Sequence, residues 1–498
     1  MSNLSELLPT GGGQNAVDFV ASGTLSSGVT VALKSDGTVG NIETESVLQS
    51  QGVTQYIEQN PRVMSSSYDS VAGKTVITFS AYVFDFPSPQ PDLGKAVVVT
   101  TTGNSVSVGS AVEFSGGNNI TNFIPTATVY DSNSGKIVIF YAESNSDSTL
   151  NTPKAVVGTV SGTLISFGTP VTVDTTNAVH YLSAVYDSIN NKVVVFYRDA
   201  LSSSRGEARV GTVSGNSISF GGAVVFNSVT TSYINSAFDP DTGKIVVSYR
   251  QSNGYGESIV GTVSGTSISF GTSVVFNSGT TSFMRSSYDS ANKKIVIAYQ
   301  KADGTNYGAA IVGTVSGTTI SFGTAVNFST TALFEVVGNS FDVNSGKVVI
   351  AYGTTTAYLG KVICGQVSGT SISFPDAVID LTNSSGGSGT IVYDPSALKS
   401  VIGKNANSAS NDMGVSIIQP AYTSTNSADF IGITAEAISD TATGPVNVYG
   451  GINEAQTGLT IGSDYYVQDD GSLSTTVSAV LAGKAISATT INITDLKL

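Results

Sequence analysis

The sequence predicts an all-β protein: a seven-bladed β-propeller of four-stranded antiparallel blades, plus a small terminal β-module. Three observations carry that expectation. Of 498 residues, 40% are hydrophobic and 12% charged, and Gly, Ser, Thr, Asn and Val dominate. This mix favours strands joined by tight turns. Next, an aromatic–Asp marker recurs at Tyr68-Asp69, Tyr130-Asp131, Tyr186-Asp187, Phe238-Asp239, Tyr288-Asp289, Phe341-Asp342 and Tyr393-Asp394, at spacings of 50–62 residues. That period is typical of propeller blades. Finally, each unit reads as a series of hairpins, which argues against the short parallel rungs of a β-solenoid.

The elements of one unit follow in order. Strand one ends in the marker, as in "FMRSSYD" (283–289). A turn such as "DPDTGK" (239–244) or "DVNSGK" (342–347) comes next. Its Asp caps the turn and its Gly supplies the positive φ. Strand two is an almost unbroken apolar run, "KIVIFY" (136–141) or "KVVVFY" (192–197), which suits burial on both faces. A loop of variable length leads to strand three, "AIVGTV" (310–315), then a Ser-Gly turn and strand four, "ISFGTAVNF" (320–328). The glycine inside strand four predicts a bulge. In the marker, the aromatic reads as inter-blade packing and the Asp as a turn cap.

The seventh unit keeps "TIVYD", "KSVIGK" and "MGVSIIQ" but lacks an "ISFG" strand. Upstream, "SDGTVGNIETESV" (35–47) resembles "VSGTSISFGTSVV" (263–275). Residues 36–48 are therefore expected to complete the last blade, which would remove two unpaired sheet edges. The expected organisation is a docking or β segment at 1–35, the propeller at 36–420 and a C-terminal β-domain at 421–498. The likeness of "NSADFIGITAEAISDTATGPVNV" (426–448) to "NAVDFVASGTLSSGVTVAL" (15–33) implies that the two ends build one module. "SNLSELL" (2–8) reads as a short helix or a docking peptide.

Charge and rare residues narrow the function. The formal net charge is −14 and no basic block occurs, so nucleic acid and anionic membranes are poor partners. No apolar stretch approaches the roughly 20 residues of a membrane helix, so no membrane insertion is expected. The N-terminus lacks the basic start and apolar core of a secretory signal. Cys364 and His180 are the only cysteine and histidine, which excludes a site built from several such ligands. Asp131-x-Asn133-x-Gly135 echoes the start of a calcium loop, but a Lys and an apolar strand follow where a distal acidic ligand belongs. A plain turn, no metal and no cofactor are expected. The chain has no tryptophan and none of the usual hydrolase or nucleotide motifs, so no enzymatic activity is expected.

Consecutive antiparallel strands alternate direction. The one-to-two and three-to-four turns therefore share one face, and they are nearly constant. The two-to-three loops and the blade-to-blade loops share the other face, and they vary. Variable loops on a rigid scaffold are where binding concentrates. The candidate ligand-binding residues there are Tyr82, Phe84, Arg198, Arg250, Tyr255, Tyr307 and Tyr358. Aromatics stack and arginines donate hydrogen bonds, a pairing suited to glycans or protein.

The "IVGTVSGTSISFG" repeat, the opening "LLPTGGGQNAVDFVASGTLSSGVTVALKSDGTV" and the closing "FIGITAEAISDTATGPVNVYGG" together resemble virion proteins of tailed bacteriophages from aquatic environments. The resemblance implies a virion structural protein of tail-fibre, spike or capsid-fibre type, assembled in the host cytoplasm. Its implied partners are other virion proteins and further copies of itself, as a homo-oligomer. The leading expectation is that the variable face attaches to a host-surface polysaccharide or protein receptor. The alternatives are a purely structural capsid or tail decoration (cement) protein and, further off, a glycan-degrading spike enzyme using paired carboxylates.

Overall fold

The computed structural model describes residues 15–47, 49–52, 55–57, 61–81, 92–120, 126–144, 151–175, 178–201, 203–355, 360–381, 384–406 and 412–494. They fall into two compact units, one drawn from the chain ends (within 1–47 and 422–498) and one from 48–421. The segment 2–8 lies outside the described residues.

Among the described residues, the larger unit contains seven antiparallel sheets of one strand order. In a representative sheet, Ser232–Asp239 pairs Lys244–Arg250, which pairs Gly256–Ser264. Two short strands, Ser267–Phe270 and Val274–Asn277, both pair with the third. The second strand is buried along Ile245–Tyr249, as its apolar run requires. Neighbouring sheets share their cores. Val296, Ala298, Ala310 and Val312 of one sheet pack with Val348, Ile350, Tyr352 and Ile363 of the next. Ile77, Phe79 and Val97 of the first sheet pack with Val401, Met413 and Ile417 of the last.

The expected fourth strand is thus broken in two at its glycine, and the reason is a close approach between sheets. Gly271 donates its N–H to Val260 O at 2.9 Å. A Cβ on Gly271 would lie 1.8 Å from Thr318 O, in the Ser-Gly turn of the following sheet. Gly109, Gly168, Gly221 and Gly323 meet the next sheet's carbonyl in the same way, at 1.8–2.0 Å. The repeated phrase therefore encodes a contact between units: the Ser-Gly turn of one sheet fits the glycine of the sheet before it. Pro375 takes the glycine's place in the sixth sheet, and the seventh sheet is the one without a Ser-Gly hairpin to meet it.

The marker is a turn device. Asp289 is fully buried. Its Oδ1 accepts the N–H groups of Ala291 and Asn292 at 3.0 and 2.9 Å, and its Oδ2 accepts from Asn292 Nδ2 at 2.9 Å. The aromatic reaches back one sheet: Tyr186 OH accepts from Asn133 N at 3.2 Å, and Tyr288 OH donates to Asp241. Asp289→Ala removes the acceptor of two turn N–H groups and is expected to cost about 0.5–1.5 kcal/mol, read as a lower midpoint in denaturant. Asp289→Asn keeps an oxygen acceptor and should recover most of that loss.

The strand that completes the last sheet differs from the expectation. Residues 36–48 do not supply it. Ser50–Gln51 and Gln55–Ile57 do, pairing with Met413–Gln419. Between them Gly52 donates to Ile417 O at 2.9 Å, and its Cβ position lies 2.7 Å from Asn104 O in the first sheet's turn. Lys399 Nζ also donates to Gly103 O and Asn104 Oδ1, at 2.8 and 2.6 Å. The "SDGT" phrase instead turns a hairpin between Thr30–Leu33 and Val39–Asn41, with Asp36 Oδ1 accepting from Thr38 N at 3.0 Å. Thr44–Val47 pairs Tyr422–Thr425. A turn signal and a strand pattern were both present there, but they fit a hairpin in the other unit.

One buried position sets the seventh sheet apart. Five residues into each second strand stands a buried aromatic, Phe79, Tyr141, Tyr197, Tyr249, Tyr299 or Tyr352, and in the seventh sheet Lys404 replaces it. Burial lowers the Lys404 ammonium from 10.5 to about 8. The folded state thus prefers the neutral amine, so unfolding takes up a proton between these values. Stability from this group is present above pH 10.5, and is lost as pH falls to about 8. Lys404→Met should flatten the pH dependence of the denaturation midpoint over that window.

The smaller unit joins both chain ends. Ala16–Val20 pairs Thr443–Asn447, and Thr30–Leu33 pairs Phe430–Thr434. A second sheet runs Ile452–Asn453, Ile491–Ile493, Leu481–Ala485, Asp464–Val467, Leu473–Ser474. Ala32, Ile433, Val467, Ala482 and Ile491 fill its core. Among the described residues, no helix is long and apolar enough to cross a membrane.

Candidate functional site

The first strands of the seven sheets lie side by side and enclose one cavity of about 350 Å³. Every sheet contributes: Ser66, Thr128, Ser183, Ser236, Ser286, Asn339 and Thr390 line it. Side chains tie neighbouring strands together. Ser183 and Ser236 hydroxyls lie 2.8 Å apart, Ser286 N donates to Asn235 Oδ1 at 2.7 Å, and Ser287 Oγ donates to Asn339 Oδ1 at 2.9 Å. The first and last sheets are joined the same way, Ser66 and Thr390 hydroxyls lying 2.7 Å apart.

The first strands of the sixth and seventh sheets slip in register between Leu333 and Glu335, Val336 and Gly338, and Ser384 and Gly389; four others share one bulge near their start, where pairing slips between Arg62 and Ser65, His180 and Ser183, Ser232 and Asn235, and Ser282 and Arg285. Inside each of these four bulges one residue adopts a positive φ: Val63 at 37°, Tyr181 at 56°, Tyr233 at 51° and Phe283 at 49°. Such a backbone is strained for bulky side chains, and a bulge re-aims the side chain it carries. Here three rings come together at the cavity wall. Tyr181 and Tyr233 centroids lie 5.3 Å apart, and those of Tyr233 and Phe283 5.1 Å.

Arg198, one residue before the end of its second strand, and Arg250, at the end of its own, stand beside these bulges, opposite His180 and Ser232 in the register. The Arg198 guanidinium sits 5.0 Å over the Tyr181 ring, and that of Arg250 sits 4.5 Å over Tyr233. Arg250 Nη1 also donates to Ser282 Oγ at 3.3 Å. These cation–π contacts hold the rings in place. Burial and the Arg198 charge lower the pKa of His180.

The cavity holds an opposite-charge couple. Arg285 lines it, with Nε donating to Val337 O at 3.1 Å and Nη1 to Met284 O at 2.9 Å. Glu335 also lines it, and no ion pair joins the two among the described residues. Burial pushes the Arg285 guanidinium down and the Glu335 carboxyl up, the latter opposed by the charge of Arg285. Both remain only partly shielded from solvent.

The candidate residues read from the sequence separate into groups. Tyr82, Phe84 and Tyr358 lie outside the described residues. Arg198 and Arg250 reach the rim of the cavity through Tyr181 and Tyr233. Tyr255 is 37% exposed on its loop, its N–H donating to Asn253 Oδ1 at 2.8 Å, and Tyr307 is half-buried. Neither lines the cavity. Both kinds of variable connection do share a face: Thr281 N donates to Gly254 O at 3.0 Å, and Leu333 N to Asn306 O at 2.8 Å. His180 and Cys364 stand on different sheets. Cys364 is fully buried, which pushes its thiol up to about 12.

Tyr181, Tyr233, Phe283, Arg285 and Glu335 were not among the residues singled out from the sequence. A signal existed: Val63, Tyr181, Tyr233 and Phe283 each stand five residues before the marker aromatic.

No protein-family description matches the chain, and no curated protein does. Several solved structures are similar to the chain. The BP39L lectin of Burkholderia pseudomallei is 11% identical with a TM-score of 0.56, over 73% of this chain and 98% of its own. AofleA of Arthrobotrys oligospora is 10% identical with a TM-score of 0.41, over 72% and 94%. A Trypanosoma rangeli sialidase is 12% identical with a TM-score of 0.40, over 81% and 59%. With the first of these and the repeated antiparallel sheets, the larger unit has the β-propeller fold.

Proposed function

We propose that the larger unit is a closed ring of seven blades carried on a virion, and that its variable face attaches the particle to a glycan on the host surface. The unit built from both chain ends is the part assigned to the particle or to self-assembly. One observation carries the reading: the near-constant turns serve contacts between sheets, whereas the loops and bulged strand starts of the other face gather Tyr181, Tyr233, Phe283, Arg198 and Arg250. Aromatic faces with arginine donors suit sugars, whose C–H faces stack and whose hydroxyls accept. The Burkholderia neighbour is a lectin by name; at that identity the likeness speaks for the fold, and the sugar reading rests on the side chains. Weak single sites gain strength from many copies on one particle.

The test is attachment itself. Purified protein should bind host cells and block infection by the virus that encodes it, and antibody labelling should place it on the particle. A protein that binds no cells, and whose loss leaves particles infectious but fragile, would be a cement protein instead.

A further inference from the structure

The variable face does not end in flat loops. At its centre it leads into a cavity whose walls combine hydroxyls, amides, three aromatic rings and one unpaired charge couple. Its volume of about 350 Å³ lies at the lower end of small-ligand sites. Hydrogen bonds between neighbouring strands satisfy many of the wall hydroxyls. Arg285 and Glu335 are different. The Nη2 edge of Arg285 has no hydrogen-bond partner among the described residues, while its other nitrogens are fixed by backbone carbonyls. That fixation aims a rigid donor edge without leaving the side chain free to swing. The Glu335 carboxylate lines the same space without an ion pair to Arg285. Opposite charges that line one cavity without pairing to each other are placed to meet a ligand that supplies both an acceptor and a donor. A hydroxyl does both.

We propose that the channel takes the terminal hexose of a neutral glycan chain, end-on. Arg285 donates to one hydroxyl oxygen, Glu335 accepts from a neighbouring hydroxyl, and the rings of Tyr181, Tyr233 and Phe283 receive the C–H face of the sugar at the rim. Arg198 and Arg250 act as positioning residues, holding two of those rings from the side. A neutral sugar fits better than an anionic one, because an added carboxylate would face Glu335. This inference rests on the attachment reading above and names its ligand class.

The experiment presents the full-length protein with immobilised oligosaccharides ending in glucose, galactose or mannose, and with the same chains capped by a uronic acid. Wild-type protein should bind at least one neutral terminus, and the capped chain should bind about tenfold or more weakly. Glu335→Gln keeps shape and removes the charged acceptor; it should lose about tenfold or more in affinity with its melting temperature unchanged or raised. Tyr233→Ala should also weaken binding, and Arg250→Lys less so. Equal binding of capped and uncapped chains, no binding to any neutral terminus, or full binding by Glu335→Gln would overturn the proposal. Host-cell binding separates the two readings. Cells held equally by wild type and Glu335→Gln would remove the channel but leave attachment. Cells not held at all would remove attachment.

Discussion

Deletion of residues 49–57 should cost the larger unit its cooperative melt, with a fall in melting temperature of about 10 °C or more. These residues supply both outer strands of the seventh sheet, pairing with Met413–Val415 and Ile418–Gln419. Without them the third strand of that sheet becomes an open edge. The contact of Gly52 with the first sheet's turn at Asn104 is lost with them. The core that Met413, Val415 and Ile417 share with Ile77 and Phe79 is exposed as well. A synthetic peptide spanning 48–58 should restore the melt in proportion to its concentration, since it binds only the folded ring. Asp36→Ala makes the contrasting case. It removes the turn cap of the hairpin at 30–41, and the melt of the larger unit should not move. If Asp36→Ala lowered that melt and the deletion did not, the assignment of the closing strand would be reversed.

The next largest effect concerns two adjacent glycines. Gly221→Ala places a Cβ 1.9 Å from Thr266 O, a backbone atom of the following sheet. Backbone cannot swing aside as a side-chain tip can, so the two sheets must part. The cost should approach the upper end of the ~1–3 kcal/mol typical of overpacking. Gly222→Ala meets nothing within 4 Å and should be neutral or slightly stabilising, because it removes freedom from the unfolded chain. The sequence already shows the tolerance: Thr169, Thr272 and Thr324 occupy the place of Gly222 in other units. Chemical denaturation of the two single variants checks the difference. Equal effects would mean that the turn-to-glycine contact does not join the sheets.

Much of the propeller was legible because its signals are local and repeated. The marker Asp caps a turn with its own side chain, and the apolar second strand declares burial on both faces. The closing strand was harder to read. Ser50–Gln51 and Gln55–Ile57 are too short to carry an apolar alternation, and only the register against Met413–Gln419 defines them. A stronger phrase at 35–47 competed and belonged to another hairpin. The candidate site was legible in part. Arg198 and Arg250 could be read from loop composition. Tyr181, Tyr233 and Phe283 could not, because a bulge decides where they point, and in a regular strand the same residues would alternate with their neighbours. Arg285 and Glu335 stand on different sheets, and only the pairing of seven first strands around one cavity brings them together.

The most direct test of the closed ring joins its first and last sheets covalently. Ser66 and Thr390 are 324 positions apart in the chain, yet their hydroxyls lie 2.7 Å from each other. Ser66→Cys combined with Thr390→Cys should form an intramolecular disulfide under mild oxidation, seen as one faster-migrating monomer band that reverts on reduction, with a raised melting temperature. An oxidised double variant that stays fully reduced, or that links only between chains, would show that the two sheets do not meet.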